Sequence, residues 1–283
     1  MPPKRHLTAR RVRLGSELRK LREATGMTAR EAAELLEADA VQVSQIESGT
    51  VGVSAKRVRR LADNYACTDL ALVDSLVAMA TDRTRGWWEE YRGVLPQVNL
   101  DVAEAEHHAT YLRDVVITRI PGLLQTPDYA RAVFDYMNPG LSESAVDVKV
   151  EYRMRRRSAI EGDNPTPYEA IIHEVALRLR VSDRKTSHAQ LLQILNLIEQ
   201  RVVSVRVIPT DQDGFAGSGA SMMYVGGPVP QLDTGMRDSP AGVAFLDSAS
   251  QLDQLRALIH RVESGSLQPV ASRDFIHRVA KEL

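Results

Sequence analysis

The amino-terminal part of the chain carries apolar side chains at helical spacing, interrupted by short polar stretches. Leu14, Leu18 and Leu21 occupy positions i, i+4 and i+7, which places them on one face of a first helix. Thr28 is followed three residues later by Glu31, a capping box in which each side chain bonds a free backbone N–H group. This pattern predicts a short second helix.

A third helix is predicted after a tight turn. Asp39 with Gln42 three residues on marks its start, Val43 and Ile46 are its inward positions, and Gly49 ends it in the left-handed conformation that glycine tolerates. Two further helices are predicted. Ser54 caps the first, whose inward positions are Val58, Leu61, Ala62 and Tyr65, and Asp69 caps the second, whose inward positions are Val73, Leu76 and Val77. We expect the five helices to form a small bundle.

The pattern becomes mixed in the rest of the chain. Thr126 caps a helix whose first residue is Pro127, and another helix is predicted over 142–160. From Tyr168 onward, apolar runs separated by glycine, proline and aspartate turns are typical of strands. The predicted strands are 168–172, 202–208, 220–225 and 243–246, and the predicted helices are 188–201, 250–262 and 272–283. We therefore expect a mainly α protein with an α+β carboxy-terminal domain, in which a mixed sheet packs with helices.

Composition limits the class of protein. A length of 283 residues with 43% apolar residues allows about two domains, each with its own core. Cys67 is the single cysteine and cannot form an internal disulfide. Because there is neither a leader pattern nor an apolar run of membrane-spanning length, we expect a cytoplasmic protein that does not contact a membrane.

The net charge of −1 conceals a basic amino end. Residues 1–22 contain eight lysine or arginine residues against Glu17 alone. Such a run is suited to phosphate groups, although charged runs are also typical of a merely solvated arm.

The outward face of the third helix has no long charged side chain. Val41, Ser44, Gln45 and Ser48 form this face, with Ala40 and Gln42 on its flanks. Glutamine can pair with the edge of adenine and valine can contact the methyl group of thymine, so the face fits the floor of a major groove. It would also fit a protein partner. The predicted DNA-binding residues are Arg10, Arg11, Arg19, Thr28, Arg30, Val41, Gln42, Ser44, Gln45 and Ser48.

Three other clusters are weak candidates for enzyme or metal chemistry. They are Glu104 with Glu106, His107 and His108, the pair His173–Glu174, and the glycine-rich run 214–219. The adjacent histidines lack metal-ligand spacing, no nucleophile motif accompanies His173, and the glycine run lacks a lysine and precedes a strand. We expect no catalytic activity, no metal and no cofactor.

Two parts of the chain resemble known families. The run Val43-Ser44-Gln45-Ile46-Glu47-Ser48-Gly49, after the helix that Thr28 caps, resembles the lambda-repressor/Cro class of helix-turn-helix regulators, the xenobiotic-response-element type. The segments 86–91, 121–131 and 151–156 look like the large WhiJ-like domain attached to many actinobacterial regulators of that type. The resemblance implies a dimeric transcription factor that binds double-stranded DNA. It also implies that the carboxy-terminal domain dimerises, senses a small-molecule signal, or binds a small partner protein encoded nearby in an antitoxin-like or developmental pairing.

These observations divide the chain into four predicted parts. We expect a basic arm over 1–11, a DNA-binding domain over 12–75, a connector containing Trp87 and Trp88 over 76–100, and a regulatory or partner-binding domain over 101–283.

The sequence departs from the helix-turn-helix family at positions that usually contact the DNA backbone. Ala29 and Ala40 stand where the family commonly has glutamine, and the loop 50–53 lacks the usual arginine. Because each neutralised phosphate adds affinity, the domain should bind DNA weakly unless the arm or a second protomer compensates. The alternative is a protein-interaction module that keeps the helix-turn-helix fold.

Overall fold

The computed structural model describes residues 7–212, 219–239 and 242–283. Across these ranges the chain forms two compact units. The amino-terminal unit contains the stretch that ends at residue 105 together with residues 228–232, and the carboxy-terminal unit contains residues 106–227 and 233–283. The first unit is therefore built from two separate stretches of sequence.

The predicted helical bundle is present at the amino end. Its helices are α1 (Ala9–Ala24), α2 (Ala29–Leu35), α3 (Ala40–Glu47), α4 (Ala55–Asn64) and α5 (Leu70–Thr81). The side chains of Thr28, Asp39, Ser54 and Asp69 accept backbone N–H bonds at the starts of α2 to α5, as the sequence predicts. Thr8 does the same for α1.

Close packing of α1 against α3 depends on two glycines. A Cβ atom on Gly15 would lie 2.4 Å from the carbonyl oxygen of Glu47, so α1 approaches α3 only without a side chain there. Gly49 has a φ of +73°, as the predicted end of α3 requires, and its Cβ position lies 2.6 Å from the carbonyl oxygen of Arg11. Buried leucine, valine and isoleucine side chains from α1, α3 and α4 fill the space between the helices.

The stretch predicted as a connector is folded. A 3₁₀ helix spans Trp87–Tyr91, and α6 spans Gln97–His107. Trp88 is buried, and the ring of Trp87 stands edge-on to Trp88 and Tyr91 at centroid distances of 6.1 and 5.9 Å. Much of the aromatic surface is thus removed from water within the amino-terminal unit.

A mixed sheet runs through the described part of the carboxy-terminal unit. Its six strands are β1 (Tyr111–Val116), β2 (Tyr168–His173), β3 (Ser204–Ile208), β4 (Met222–Gly226), β5 (Thr234–Ser239) and β6 (Gly242–Leu246), in the order β3-β2-β1-β4-β5-β6. The pairs β1–β2 and β2–β3 are parallel, whereas the other pairs are antiparallel. The sequence prediction omits β1 and β5, because charged residues interrupt their apolar alternation.

Helices cover this sheet and protect its edge. They are α7 (Pro127–Met137), α8 (Glu143–Arg155), α9 (Glu174–Arg178), α10 (Arg184–Glu199), α11 (Ala249–Ser264) and α12 (Pro269–Glu282). Leu252, Leu255 and Ile259 of α11 pack on a core that includes Val115 and Ile171. The hydroxyl of Ser272, on α12, accepts a bond of 2.9 Å from the backbone N–H of Val207, which covers the free edge of β3.

No helix within the described ranges is long and apolar enough to cross a bilayer.

Candidate nucleic-acid interface

Helix α3 presents the small polar surface that the sequence predicts. The carboxylate of Asp39 accepts the backbone N–H of Gln42 at 2.6 Å, which fixes the start of the helix. Val43 and Ile46 are buried in the bundle. The opposite side is exposed, with 64% of Val41 accessible to solvent. Val41 therefore does not belong to the buried core that the described residues of the bundle form.

The polar side chains on this face fall into two groups. Ser44 donates to the carbonyl oxygen of Ala40 at 2.9 Å, and Ser48 donates to that of Gln45 at 3.1 Å, so both hydroxyls already serve the helix backbone. In contrast, the side-chain amides of Gln42 and Gln45 have no hydrogen-bond partner among the described residues. The two glutamines are therefore the side chains best able to pair with a base edge.

A buried ion pair fixes α3 relative to α1. The guanidinium of Arg22 donates to Glu47 through Nε at 2.7 Å and Nη2 at 2.9 Å, and through Nη1 to the carbonyl oxygen of Met27 at 2.6 Å. This bidentate geometry is the strongest form of an arginine–carboxylate contact. The pair also explains why the run around α3 contains a glutamate.

The two predicted contacts on α2 lie at its first turn. The Thr28 hydroxyl accepts the backbone N–H of Glu31 at 3.2 Å, and the Glu31 carboxylate accepts the backbone N–H of Thr28 at 2.7 Å, which confirms the capping box. The hydrogen bonds from Thr28 lower the pKa of the Glu31 carboxyl group. Arg30 is exposed and pairs with Glu34 at 3.4 Å.

The predicted phosphate contacts on α1 differ in accessibility. Arg19 is exposed and pairs with Glu23 at 2.7 Å, and the resulting hydrogen bond raises the pKa of the guanidinium. Exposed pairs of this kind are weak, so a phosphate group can replace the carboxylate. Arg11 donates to the carbonyl oxygen of Thr50 at 3.5 Å, in the loop after α3.

Arg10 has different surroundings. It lies 3.7 Å from Asp82, and burial lowers the pKa of its guanidinium against the opposing effect of the charges of Asp82 and Glu104. It is the least suited of the predicted arginines to reach DNA. Of the predicted arm, Ala9–Arg11 already form the first turn of α1, and residues 1–6 lie outside the described residues.

Two cations that the prediction omits lie close in sequence to this surface. Lys56 and Arg57 stand on the first turn of α4, where the hydroxyl of Ser54 accepts the backbone N–H of Arg57 at 3.3 Å. Neither has an ion-pair partner within the described ranges. The cap at Ser54 followed by two cations could have identified them, since helix amino ends favour phosphate.

The weak candidates for catalysis have structural contacts. The Glu174 carboxylate accepts the backbone N–H and the hydroxyl of Thr210 at 2.8 and 2.7 Å and pairs with Arg178. The imidazole Nδ1 of His173 accepts the backbone N–H of Val175. No group of three or more metal-ligating side chains occurs in the described part of the chain. The glycine-rich run 214–219 lies outside the described residues except for its last glycine.

Comparison with known families identifies both parts of the chain. A family model for a helix-turn-helix domain matches residues 13–76, which confirms the predicted helix-turn-helix domain. The family model described as a domain of unknown function (DUF5753) matches residues 100–278, more than half of the chain. No curated protein and no solved structure matches the chain.

Proposed function

We propose that this chain, which belongs to the DUF5753 family, is a sequence-specific regulator of transcription that binds duplex DNA through α3. The observation that carries the proposal is the exposed face of α3, which offers small side chains and two unengaged glutamine amides on a family-matched helix-turn-helix domain. In this proposal the protein binds DNA and catalyses no reaction.

Different side chains make the contacts to bases and the contacts to phosphates. Gln45, with Gln42 beside it, supplies paired donor and acceptor groups that match the edge of adenine, and Val41 supplies an apolar contact for a thymine methyl. Arg11, Arg19, Arg30, Lys56 and Arg57 supply positive charge for phosphates. Base contacts determine sequence preference, whereas phosphate contacts hold the helix in position.

A dimer would compensate for the sparse backbone contacts. Ala29 and Ala40 cannot donate hydrogen bonds from their side chains, so one copy of the domain lacks two hydrogen bonds to the DNA backbone that glutamines at these positions would make. Two copies double the contacts and require paired half-sites about one helical turn apart. The WhiJ-like resemblance supports a cytoplasmic dimer whose DUF5753 domain dimerises or holds a small partner protein or effector.

Selection of bound duplexes from a random pool by the full-length protein tests the proposal. We expect one enriched sequence, bound with an affinity that falls steeply as salt rises. Gln45→Ala should lower the ratio of target to random affinity by about tenfold, from a loss of about 1–3 kcal/mol of base discrimination. Gln200→Ala, an exposed glutamine of the carboxy-terminal unit, is the matched control and should leave the ratio unchanged.

One observation favours a second candidate function. Val41, Leu35 and Val51 are all exposed apolar side chains on or beside α2 and α3, as expected of a surface that binds protein. A protein-interaction module would enrich no DNA sequence in the selection, and Gln45→Ala would not alter its weak binding to duplexes. That outcome would replace the DNA-binding proposal with this one.

A further inference from the structure

The amino-terminal unit contains a cavity of about 740 Å³ next to the loop that follows α3. Leu14, Ile46 and Val53 contribute apolar surface to it, and Met79 and Ala80 of α5 extend that surface. Binding sites for small molecules are concavities of about 300–1,000 Å³ with mostly apolar walls and a few polar groups that orient the ligand. The volume of this cavity lies within that range, and its wall combines apolar side chains with charged ones.

The polar groups around the cavity carry an excess of positive charge. Four arginines line it, against Asp82 and Glu89 as the two carboxylates. Glu89 accepts a bond of 2.7 Å from Arg92, and Asp82 lies 3.7 Å from Arg10, so both carboxylates already have cationic partners. Neither carboxylate is therefore left to balance the charges of Arg83 and Arg85, which also line the cavity.

Two of these arginines have no carboxylate partner. Arg83 donates to the backbone carbonyl oxygens of Ala80 and Asp82, at 3.1 and 2.8 Å. Arg85 is exposed and has no hydrogen-bond partner among the described residues. Both lie at the cavity, where a guanidinium can bind an acid group through two parallel hydrogen bonds.

We propose that this cavity binds a small organic anion with a compact apolar body. The acid group meets Arg83 and Arg85, and the apolar body contacts the wall formed by Leu14, Ile46 and Val53. Neutral molecules of the same shape bind more weakly because they leave the two guanidinium groups uncompensated, and cations are repelled.

The position of the cavity connects it to DNA binding. Ile46 belongs to α3, Leu14 belongs to α1, and Val53 belongs to the loop that joins α3 to α4. An anion at this place cancels positive charge beside the recognition helix, so it should weaken the attraction of DNA phosphates. This effect on DNA rests on the proposed function, whereas binding of the anion does not.

Calorimetric titration of the full-length protein tests the binding. The probes are benzoate and 1-naphthoate, with benzyl alcohol and 1-naphthalenemethanol as neutral molecules that carry the same rings. We expect at least one acid to bind with one-to-one stoichiometry and a Kd below about 1 mM, and its matched alcohol to bind at least about tenfold more weakly, since charge-assisted contacts are about twice as strong as neutral ones.

Variants locate the site. Arg83→Gln with Arg85→Gln should weaken binding of the acid about tenfold, as expected for loss of charge-assisted contacts. Arg180→Gln with Arg261→Gln, which removes two exposed arginines from the carboxy-terminal unit, is the matched control and should not change it. Equal binding of acid and alcohol, or equal binding by the two double variants, would overturn the proposal.

DNA titrations separate this proposal from the proposed function. If neither acid binds but the Arg83/Arg85 variant loses DNA affinity uniformly across sequences, the two arginines are phosphate contacts and the anion site is wrong. If an acid binds but DNA selection enriches no sequence, the anion site stands and the DNA-binding proposal fails.

Discussion

The pair of Arg22 and Glu47 shows that a cation in a basic stretch of sequence can be buried in the fold and so be unavailable to phosphates. In the sequence, Arg22 belongs to the basic run over residues 1–22, which predicts contact with phosphates. In the structure it is buried and bidentate to Glu47. Removing one partner of a buried pair leaves the other charge uncompensated, which is far more costly than losing an exposed pair.

We expect Glu47→Gln to lower the free energy of unfolding by about 3 kcal/mol, because the buried guanidinium of Arg22 loses its bidentate partner and keeps only the exposed carboxylate of Glu23, at 3.6 Å. Urea unfolding followed by circular dichroism measures the change. Glu34→Gln removes the carboxylate from the exposed pair with Arg30 and should leave stability nearly unchanged. Equal effects of the two substitutions would show that the buried Arg22–Glu47 pair contributes no more to stability than an exposed pair does.

Helical spacing, and not charge, could have predicted which cations are buried. Arg22 continues the series Leu14 and Leu18 at steps of four residues, so it lies on the apolar face of α1. Arg19 lies off that face and is exposed. Arg13, by comparison, is buried through a bond to the carbonyl oxygen of Gln231. No local pattern could predict that contact, since the two residues are far apart in sequence.

The buried carboxyl group of Asp114 predicts that the stability of the protein depends on pH. Burial raises the pKa of its carboxyl group from 3.8 to about 7, with the hydrogen bond from Tyr168 acting in the opposite direction. Of the charged groups near it, Glu106 and Asp238 raise the pKa further and Arg156 lowers it. The folded protein therefore retains a proton that the unfolded chain has already released between pH 4 and pH 7.

The stability that this proton contributes is complete below pH 4 and is lost as the pH rises through about 7. Asp114→Asn removes the ionisation, so we expect the stability of the variant relative to the natural protein to rise between about pH 4 and pH 7 and to stay level at higher pH, with a gain of at most about 1.4 kcal/mol per unit of pKa difference. Urea unfolding across this range measures it, with the exposed Asp135→Asn as control. Parallel pH curves for Asp114→Asn and the natural protein would contradict the assigned shift.

At the scale of elements, contact between helices overrides local propensity at Gly15. Alanine is favoured over glycine inside a helix by about 1 kcal/mol, so propensity alone predicts that Gly15→Ala stabilises α1. The Cβ atom would however lie 2.4 Å from the carbonyl oxygen of Glu47, and the backbone of α3 cannot yield as a flexible side chain could. We expect a net loss of about 1–3 kcal/mol, typical of overpacking.

The same substitution should also weaken DNA binding, because α3 must move away from α1. Urea unfolding and a duplex titration measure the two effects, and Ser16→Ala on the next position of α1 controls for a general change in helix propensity. A stabilised Gly15→Ala protein would show that α1 and α3 are not in close contact.

The elements that the sequence predicts well are those whose determinants are local. Caps at Thr28, Asp39, Ser54 and Asp69 are side chains bonded to N–H groups three residues away, so sequence alone locates the helix starts. Strand β5 is different, because Arg237 and Asp238 interrupt it and its place in the sheet depends on hydrogen bonds to β4 and β6. Such pairing is not visible in a single segment of sequence.

At the scale of the whole molecule, the amino-terminal unit depends on a distant segment of chain. Residues 228–232 lie between β4 and β5 in sequence, where the pattern predicts only a turn. Val229 and Leu232 nevertheless belong to the buried core of the helical bundle, and the Gln231 side chain donates to Asp69, the cap of α5, at 2.8 Å. Long-range contacts of this kind determine a domain boundary that composition cannot show.

We expect Leu232→Ala to destabilise the bundle although the substitution lies about 150 residues beyond its last helix in sequence. Leu232 is 6% exposed, and truncation of a buried leucine leaves a cavity that costs about 2–5 kcal/mol. Hydrogen exchange of the full-length protein, resolved by peptide, should show faster exchange in α1 and α5. Pro228→Ala, at an exposed position of the same segment, should leave that exchange unchanged. If Leu232→Ala accelerates exchange only in β4 and β5, the segment belongs to the carboxy-terminal unit, and residues 7–105 form the helical unit without it.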